Sequence, residues 1–266
     1  MKKNKSKITG KNISKFLPPV IGFLIIIGIW ELSILIFNIP QYVLPTPRDI
    51  VINGFIKKQY YTVIWDNAKT TITEALLGYL IGIFLGLLLS ILFAQVKLLR
   101  SMFLPFVVAS QTIPIIAFAP IIIIWFGSGI PSKIVVVAFL TFFPICLGTL
   151  KGIQSVDKIK RDLFYSYAAT KRQIFSKLEF KFAMPYIFTQ MRVVTPTAVI
   201  GAIIAEFIAA NKGLGYLTIR NWYTLSMNRL WATIFSAALT GISLYLIATV
   251  IERIATPWHE SQQEGI

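Results

Sequence analysis

The sequence predicts an all-α protein that crosses a membrane several times, and two features of its composition and one of its patterning predict it. Hydrophobic residues make up 56% of the 266 positions and charged residues only 14%, where an ordinary soluble domain carries about 25%. The apolar residues gather into repeated runs of about 20, the length of helix that crosses a hydrocarbon layer of about 30 Å. Backbone amides have no water to bond in such a layer, so each run must satisfy its own hydrogen bonds as a helix.

Six runs qualify: residues 16–37, 67–93, 103–126, 134–150, 186–210 and 230–254. The first follows six lysines, as a signal peptide would, but leads into Trp30 and Glu31 with no small-residue cleavage site, which marks it as a retained span. The second carries Gly78, Gly82 and Gly86 at four-residue spacing, one face without side chains on which another helix packs closely. The third holds Pro105, Pro114 and Pro120, each of which removes a backbone donor. Its freed carbonyls need protein or water around them, which makes 111–120, with Gln111, Pro114 and Pro120, a candidate lining of a path. Cys146 lies in the fourth run as a small packing residue. The fifth repeats the small-residue device at Gly201, Ala205 and Ala209. The domain plan is a basic tail at 1–15, a membrane domain at 16–254 and a tail at 255–266.

The formal charge of +15 resides in short loops beside the spans. Eighteen of the 26 Lys and Arg residues fall on the side of the N-terminal tail and the 151–185 loop, and eight on the other. The positive-inside bias then sets both termini and that loop in the cytoplasm. No helix-turn-helix or RNA-binding signature accompanies the charge, so nucleic acid is not the expected partner. One cysteine and one histidine, His259, offer no metal cluster. Three acidic residues, Glu31, Glu74 and Glu206, lie in or near spans, where a charge must face the bundle interior, a cavity or the interface. For Glu206, which precedes Lys212, Gly213 and Gly215, pairing with Lys212 or Arg220 is expected, with contact to a transported solute as the alternative.

No protease, esterase or nucleotide-phosphate motif is present, so the chain is not expected to be an enzyme or to hydrolyse ATP alone. The 151–185 loop is polar yet periodic. Leu163, Phe164 and Tyr167 form one apolar set, and Ile174, Phe175, Leu178 and Phe182 a second. Between them Thr170 precedes Gln173 by three residues, the spacing of a capping box. The loop therefore reads as helix, turn, helix. Its apolar residues are expected to meet a partner surface, with packing onto the chain's own helix ends as the alternative.

These residues, together with Trp30-Glu31, Leu44-Pro45-Thr46-Pro47, Pro114, Ala117 and Pro120 leading to Trp125-Phe126-Gly127-Ser128-Gly129, Ala205-Glu206 with Gly213-Leu214-Gly215, and Thr256-Pro257-Trp258-His259, run in an order that resembles the type I permeases of bacterial ABC importers, in the branch of nitrate, taurine, alkanesulfonate and thiamine-precursor systems. The resemblance covers nearly the whole chain. It implies a multi-pass inner-membrane permease that forms a path for a small solute. It also implies an ATPase subunit that binds ATP and Mg, an external substrate-binding protein, a second permease copy and surrounding lipid as partners. Family members dock on the ATPase through a cytoplasmic loop with an acidic residue, two alanines, a glycine four residues on and a later proline. The matching positions here are Asp162, Leu163, Phe164 and Ala168, with Ala169, Thr170 and Pro185 fitting and Tyr167, Ile174 and Phe175 on the same loop. A self-sufficient secondary transporter is the rival reading, but such proteins pair broken helices across repeats, and only one span here is clearly broken.

Overall fold

The computed structural model describes residues 9–258, with side chains from residue 17 onward, so Lys2, Lys3, Lys5, Lys7 and His259 lie outside the described residues. The described chain is helical throughout, without strands. Helix α1 covers Thr9–Phe37 and ends at Asn38, whose φ of 48° closes it. A short α2, Pro47–Ile50, capped by the Thr46 hydroxyl, continues through a π-helical turn at Val51–Ile56 into α3, Lys58–Gln95. Then come α4 (Lys97–Ser110), α5 (Ile115–Phe126), α6 (Ile130–Gln154), α7 (Lys158–Ser166) and α8 (Lys171–Ile174). After a second π turn, Phe175–Glu179, follow α9 (Phe180–Ala209), α10 (Leu214–Tyr223) and α11 (Met227–Ala255).

The core is the triplet α3, α6 and α9, where Ala75, Tyr79, Val137, Ile145, Ala198 and Ala202 bury one another. The glycine face of α3 meets α6: a Cβ on Gly78 would strike Val137, one on Gly82 the Thr141 hydroxyl, and one on Gly86 would lie 2.9 Å from Ile145. Gly201 of α9 approaches Leu140 and Val137 of α6, so both α3 and α9 meet α6 closely through glycine positions.

The same contacts fix the path of the chain. Positions 78, 82 and 86 meet 137, 141 and 145 in rising order, so α3 and α6 run parallel. The segment between them must therefore recross the layer. The segment available for this is α4 and α5 together, bent by 105°, which with the five long apolar helices makes six candidate crossings among the described residues. The bend lies at the turn 111–114, while Pro105 and Pro120 sit inside α4 and α5. Of the three expected interruptions, only the one before Pro114 breaks the helix. Gln111, Pro114 and Pro120 are all exposed on the single chain.

Helix α9 runs antiparallel to α6, with Gly148 against Gln190 and Gly152 against Tyr186. On α11, Glu252 pairs with Arg192 at 3.0 Å and accepts a hydrogen bond from Thr189. Trp30 near the end of α1 packs at a tilt against Trp231 near the start of α11, ring centroids 4.9 Å apart. These contacts put the start of α1, the 151–185 loop and the end of α11 at one end of the bundle. The α2 turn and α10 lie at the other.

Candidate functional site: the helical loop and the buried polar cluster

The loop is a preformed unit. Helix α7 ends in a Schellman turn: Ala169 N–H donates to Phe164 O and Ala168 N–H to Tyr165 O, with Ala168 at φ 54°. That left-handed position is normally glycine's. Two residues on, the Thr170 hydroxyl and the Gln173 side chain cap α8 reciprocally, as the spacing predicts. Beneath the turn Val156, Ile174 and Leu178 are buried, with Phe164 and Ala169 packed against them. Arg161 ties α7 to the start of α9 through Glu179 at 2.9 Å.

This core divides the residues expected to face a partner. Ile174 and Pro185 are buried, and Phe175 is half-buried against Ile187 and Ala183, so these three shape the loop and do not face outward. Of the second apolar set, Ile174 and Leu178 have turned inward because they close over Val156 in the turn after α6, while Phe182 stays exposed. What remains outside is a stripe of α7 at four-residue spacing, Ile159 (82% exposed), Leu163 (53%) and Tyr167 (79%), beside exposed Asp162 and Ala168. Ile159 completes the stripe although sequence periodicity had started it at Leu163.

At the opposite end, Glu206 is 2% exposed and engaged neither with Lys212 nor with Arg220, both of which are exposed. Its Oε1 accepts from the Thr71 hydroxyl at 2.7 Å and its Oε2 from Gly215 N–H at 2.5 Å. Leu214 N–H donates to Thr71 and Gly213 N–H to Asn67. The first amides of α10 thus find side-chain acceptors, and a carboxylate lies against the positive end of that helix. Gly213, at φ 114°, permits the approach, since a Cβ there would collide with the Glu206 carboxyl. Lys133, one of the eight outer basic residues, is buried as well and donates to Ser128 O and Ala209 O. Glu74 is buried beside Glu206. The cluster joins α3, α6, α9 and α10. Sequence reasoning missed Thr71, Asn67 and Lys133; the signal for Asn67 and Thr71 was polar residues at four-residue spacing on α3, while Lys133 lies at the start of α6.

Helix α10 is fixed at its far end too. Asn221 donates to the Tyr60 hydroxyl at 2.5 Å and to Thr233 at 3.2 Å.

The chain is 37% identical over 246 residues to a formylaminopyrimidine transport permease protein of Halalkalibacterium halodurans, covering 92% of this chain and 97% of that one. It is 28% identical to a riboflavin transport system permease protein of Chloroflexus aurantiacus, covering 94% and 95% of the two chains. A taurine transport system permease protein of Escherichia coli is 26% identical over 75% of this chain and 73% of its own. A solved amino acid ABC transporter structure superposes with a TM-score of 0.61 at 14% identity, covering 75% of this chain and 97% of that one, which supports the fold. Residues 78–258 match the family described as binding-protein-dependent transport system inner membrane component. With more than half of its length inside that match, the chain belongs to the binding-protein-dependent transport system inner membrane component family.

Proposed function

We propose that this chain is the permease subunit of an importer for a small pyrimidine-type vitamin precursor, driven by a separate ATPase subunit that holds ATP and Mg. The 37% identity along nearly the full length of a formylaminopyrimidine permease carries the substrate class. The loop supports the energy source. Its α7 stripe of Ile159, Leu163 and Tyr167 is apolar, exposed and held by a prebuilt core, which is how a docking helix is presented to a groove. The loop end of the bundle is then cytoplasmic, with both termini, in keeping with the eighteen basic residues on that side. A second copy of the chain covers the bend at 111–114. Irregular backbone at membrane depth is tolerated only against protein or water, and on the single chain no protein covers Gln111, Pro114 and Pro120. Between the two copies these residues line the solute path, while Glu206 holds its outer end together from behind.

Transport follows from differential binding. ATP closure of the ATPase pair favours the permease state in which the two loops are close together, and the shift is limited to the difference in affinity between states. The test is uptake in proteoliposomes containing this chain and its ATPase, with the binding protein outside. Labelled formylaminopyrimidine should accumulate in an ATP-dependent manner, and riboflavin and taurine should not. Accumulation without ATP would overturn the reading, and preference for taurine would overturn the substrate class.

A further inference from the structure

Helices α8 and α9, with the π turn between them, form one run of 39 residues, Lys171–Ala209. At about 1.5 Å per residue the run is about 58 Å long, whereas a hydrocarbon layer of about 30 Å takes up only about 20 residues. Its far end is fixed by Glu206 against the start of α10, so the turns around 177–186 cross the headgroup layer at the loop end. The side chains there suit that depth. Phe180, Phe182 and Tyr186 are exposed, and aromatic rings are favoured at the level of the headgroups.

Lys177 and Lys181 stand one helical turn apart in the same segment, both exposed. The 151–185 loop holds eight basic residues against three acidic ones, Asp157, Asp162 and Glu179. Asp157 pairs with Lys160 at 3.3 Å and Glu179 with Arg161 at 2.9 Å. Asp162, exposed on α7, pairs with neither lysine, and Glu252 at this end of α11 is held by Arg192. Lys177 and Lys181 thus enter no ion pair among the described residues. The backbone that carries them is braced: Leu178 is buried with Val156 and Ile174, and Ala183 with Ile153 and Ile187.

We propose that Lys177 and Lys181 hold the phosphate of an anionic phospholipid, with Phe182 and Tyr186 against its glycerol and upper acyl region. A pair of unpartnered cations at headgroup depth attracts such a lipid, and the aromatic residues beside them favour an amphipathic ligand over a soluble anion. A lipid bound there also fixes the height of the loop at the membrane, because Glu179 of the same turn carries Arg161 of α7. The site goes beyond the importer reading and does not depend on which solute is carried.

The experiment titrates the full-length chain in detergent with dioleoylphosphatidylglycerol, and separately with dioleoylphosphatidylcholine, and counts retained lipid by native mass spectrometry. Lys177 and Lys181 make no side-chain bond, so exchanging both for Gln should leave the melting temperature of the lipid-free protein unchanged. Affinity for phosphatidylglycerol should fall about thirtyfold, since each basic residue near an anionic surface contributes a factor of about five. Lys177→Arg with Lys181→Arg should retain it, and Lys57→Gln with Lys58→Gln, which removes the same charge at the opposite end, should leave it unchanged. Equal affinity of the Lys177→Gln, Lys181→Gln protein, or equal retention of phosphatidylcholine, would overturn the proposal. Displacement of the lipid by an equal concentration of inorganic phosphate would overturn it in favour of a soluble anion. Loss of a co-purifying ATPase subunit with lipid affinity unchanged would give the two lysines to that subunit instead. None of these outcomes bears on ATP-dependent uptake, so the importer reading stands or falls separately.

Discussion

Gly213→Ala tests the buried cluster most directly, because the structure assigns it two separable costs. Gly213 has φ 114°, outside the region an L-residue adopts comfortably, and holding alanine there costs about 1–3 kcal/mol. The added Cβ would also displace the Glu206 carboxyl. Displacement gives up at least one of its bonds to Thr71 and Gly215, and a hydrogen bond to a charged group is worth about 1.5–3 kcal/mol. The sum, about 3–6 kcal/mol, is a large part of a typical margin of about 5–15 kcal/mol. The assay is the melting temperature and monodisperse yield in detergent of four proteins: wild type, Gly213→Ala, Glu206→Ala and the double variant. Once Glu206 is alanine the new Cβ has nothing to displace, so Gly213→Ala should then cost only its backbone part. Equal costs in the two backgrounds, or a Gly213→Ala protein that melts with wild type, would refute the contact.

At the other end of the bundle Ala168→Gly should raise the melting temperature, since the left-handed position costs a non-glycine residue about 1–2 kcal/mol; a lower value would contradict the Schellman turn. Gly82→Leu should abolish folded yield because its side chain must enter the space of Thr141, while Leu88→Ala, on the exposed face, should not. Tyr167→Asp should reduce ATPase retention and uptake without lowering the melting temperature. Ala169→Asp should lower the melting temperature as well, because Ala169 packs against the loop core; thermal loss from Tyr167→Asp would place that side chain in the core too.

The spans were legible because lipid enforces length and apolarity together. The α3 glycine face was legible because three side-chain-free positions at helical spacing have few other uses. The Thr170 box was legible because capping is local chemistry. Periodicity could not say which of two apolar sets faces inward, since both satisfy the same helical pattern. That depended on Val156, in the turn after α6, meeting Ile174 and Leu178, a contact the helical pattern does not encode. Glu206 illustrates the same limit. The nearest basic residues in sequence were Lys212 and Arg220, but the geometry of α10 turns its amides toward the carboxylate and leaves both cations exposed. Pro114 differs from Pro105 and Pro120 through its place at the α5 N-cap, where a break is possible, and not through its chemistry.

Helix α6, like α9, reaches from the loop core to the outer cluster. Its last turns, at Gly152 and Ile153, pack on Ala183 and Tyr186 beside the loop core. Its first turn carries Lys133 into the outer cluster, and its length between the two, at about 1.5 Å per residue over 25 residues, is about 37 Å. Close glycine contacts with α3 and α9 leave no slack along that length, and tightly packed interfaces switch between discrete arrangements instead of deforming continuously. A displacement of the loop therefore reaches the outer end chiefly as a rigid movement of α6 with its two partners. The bent α4–α5 pair moves with the triplet too, because it packs on α6 through Ala119 and Ile122 of α5 and through Val107 of α4, which meets Phe143 and Cys146.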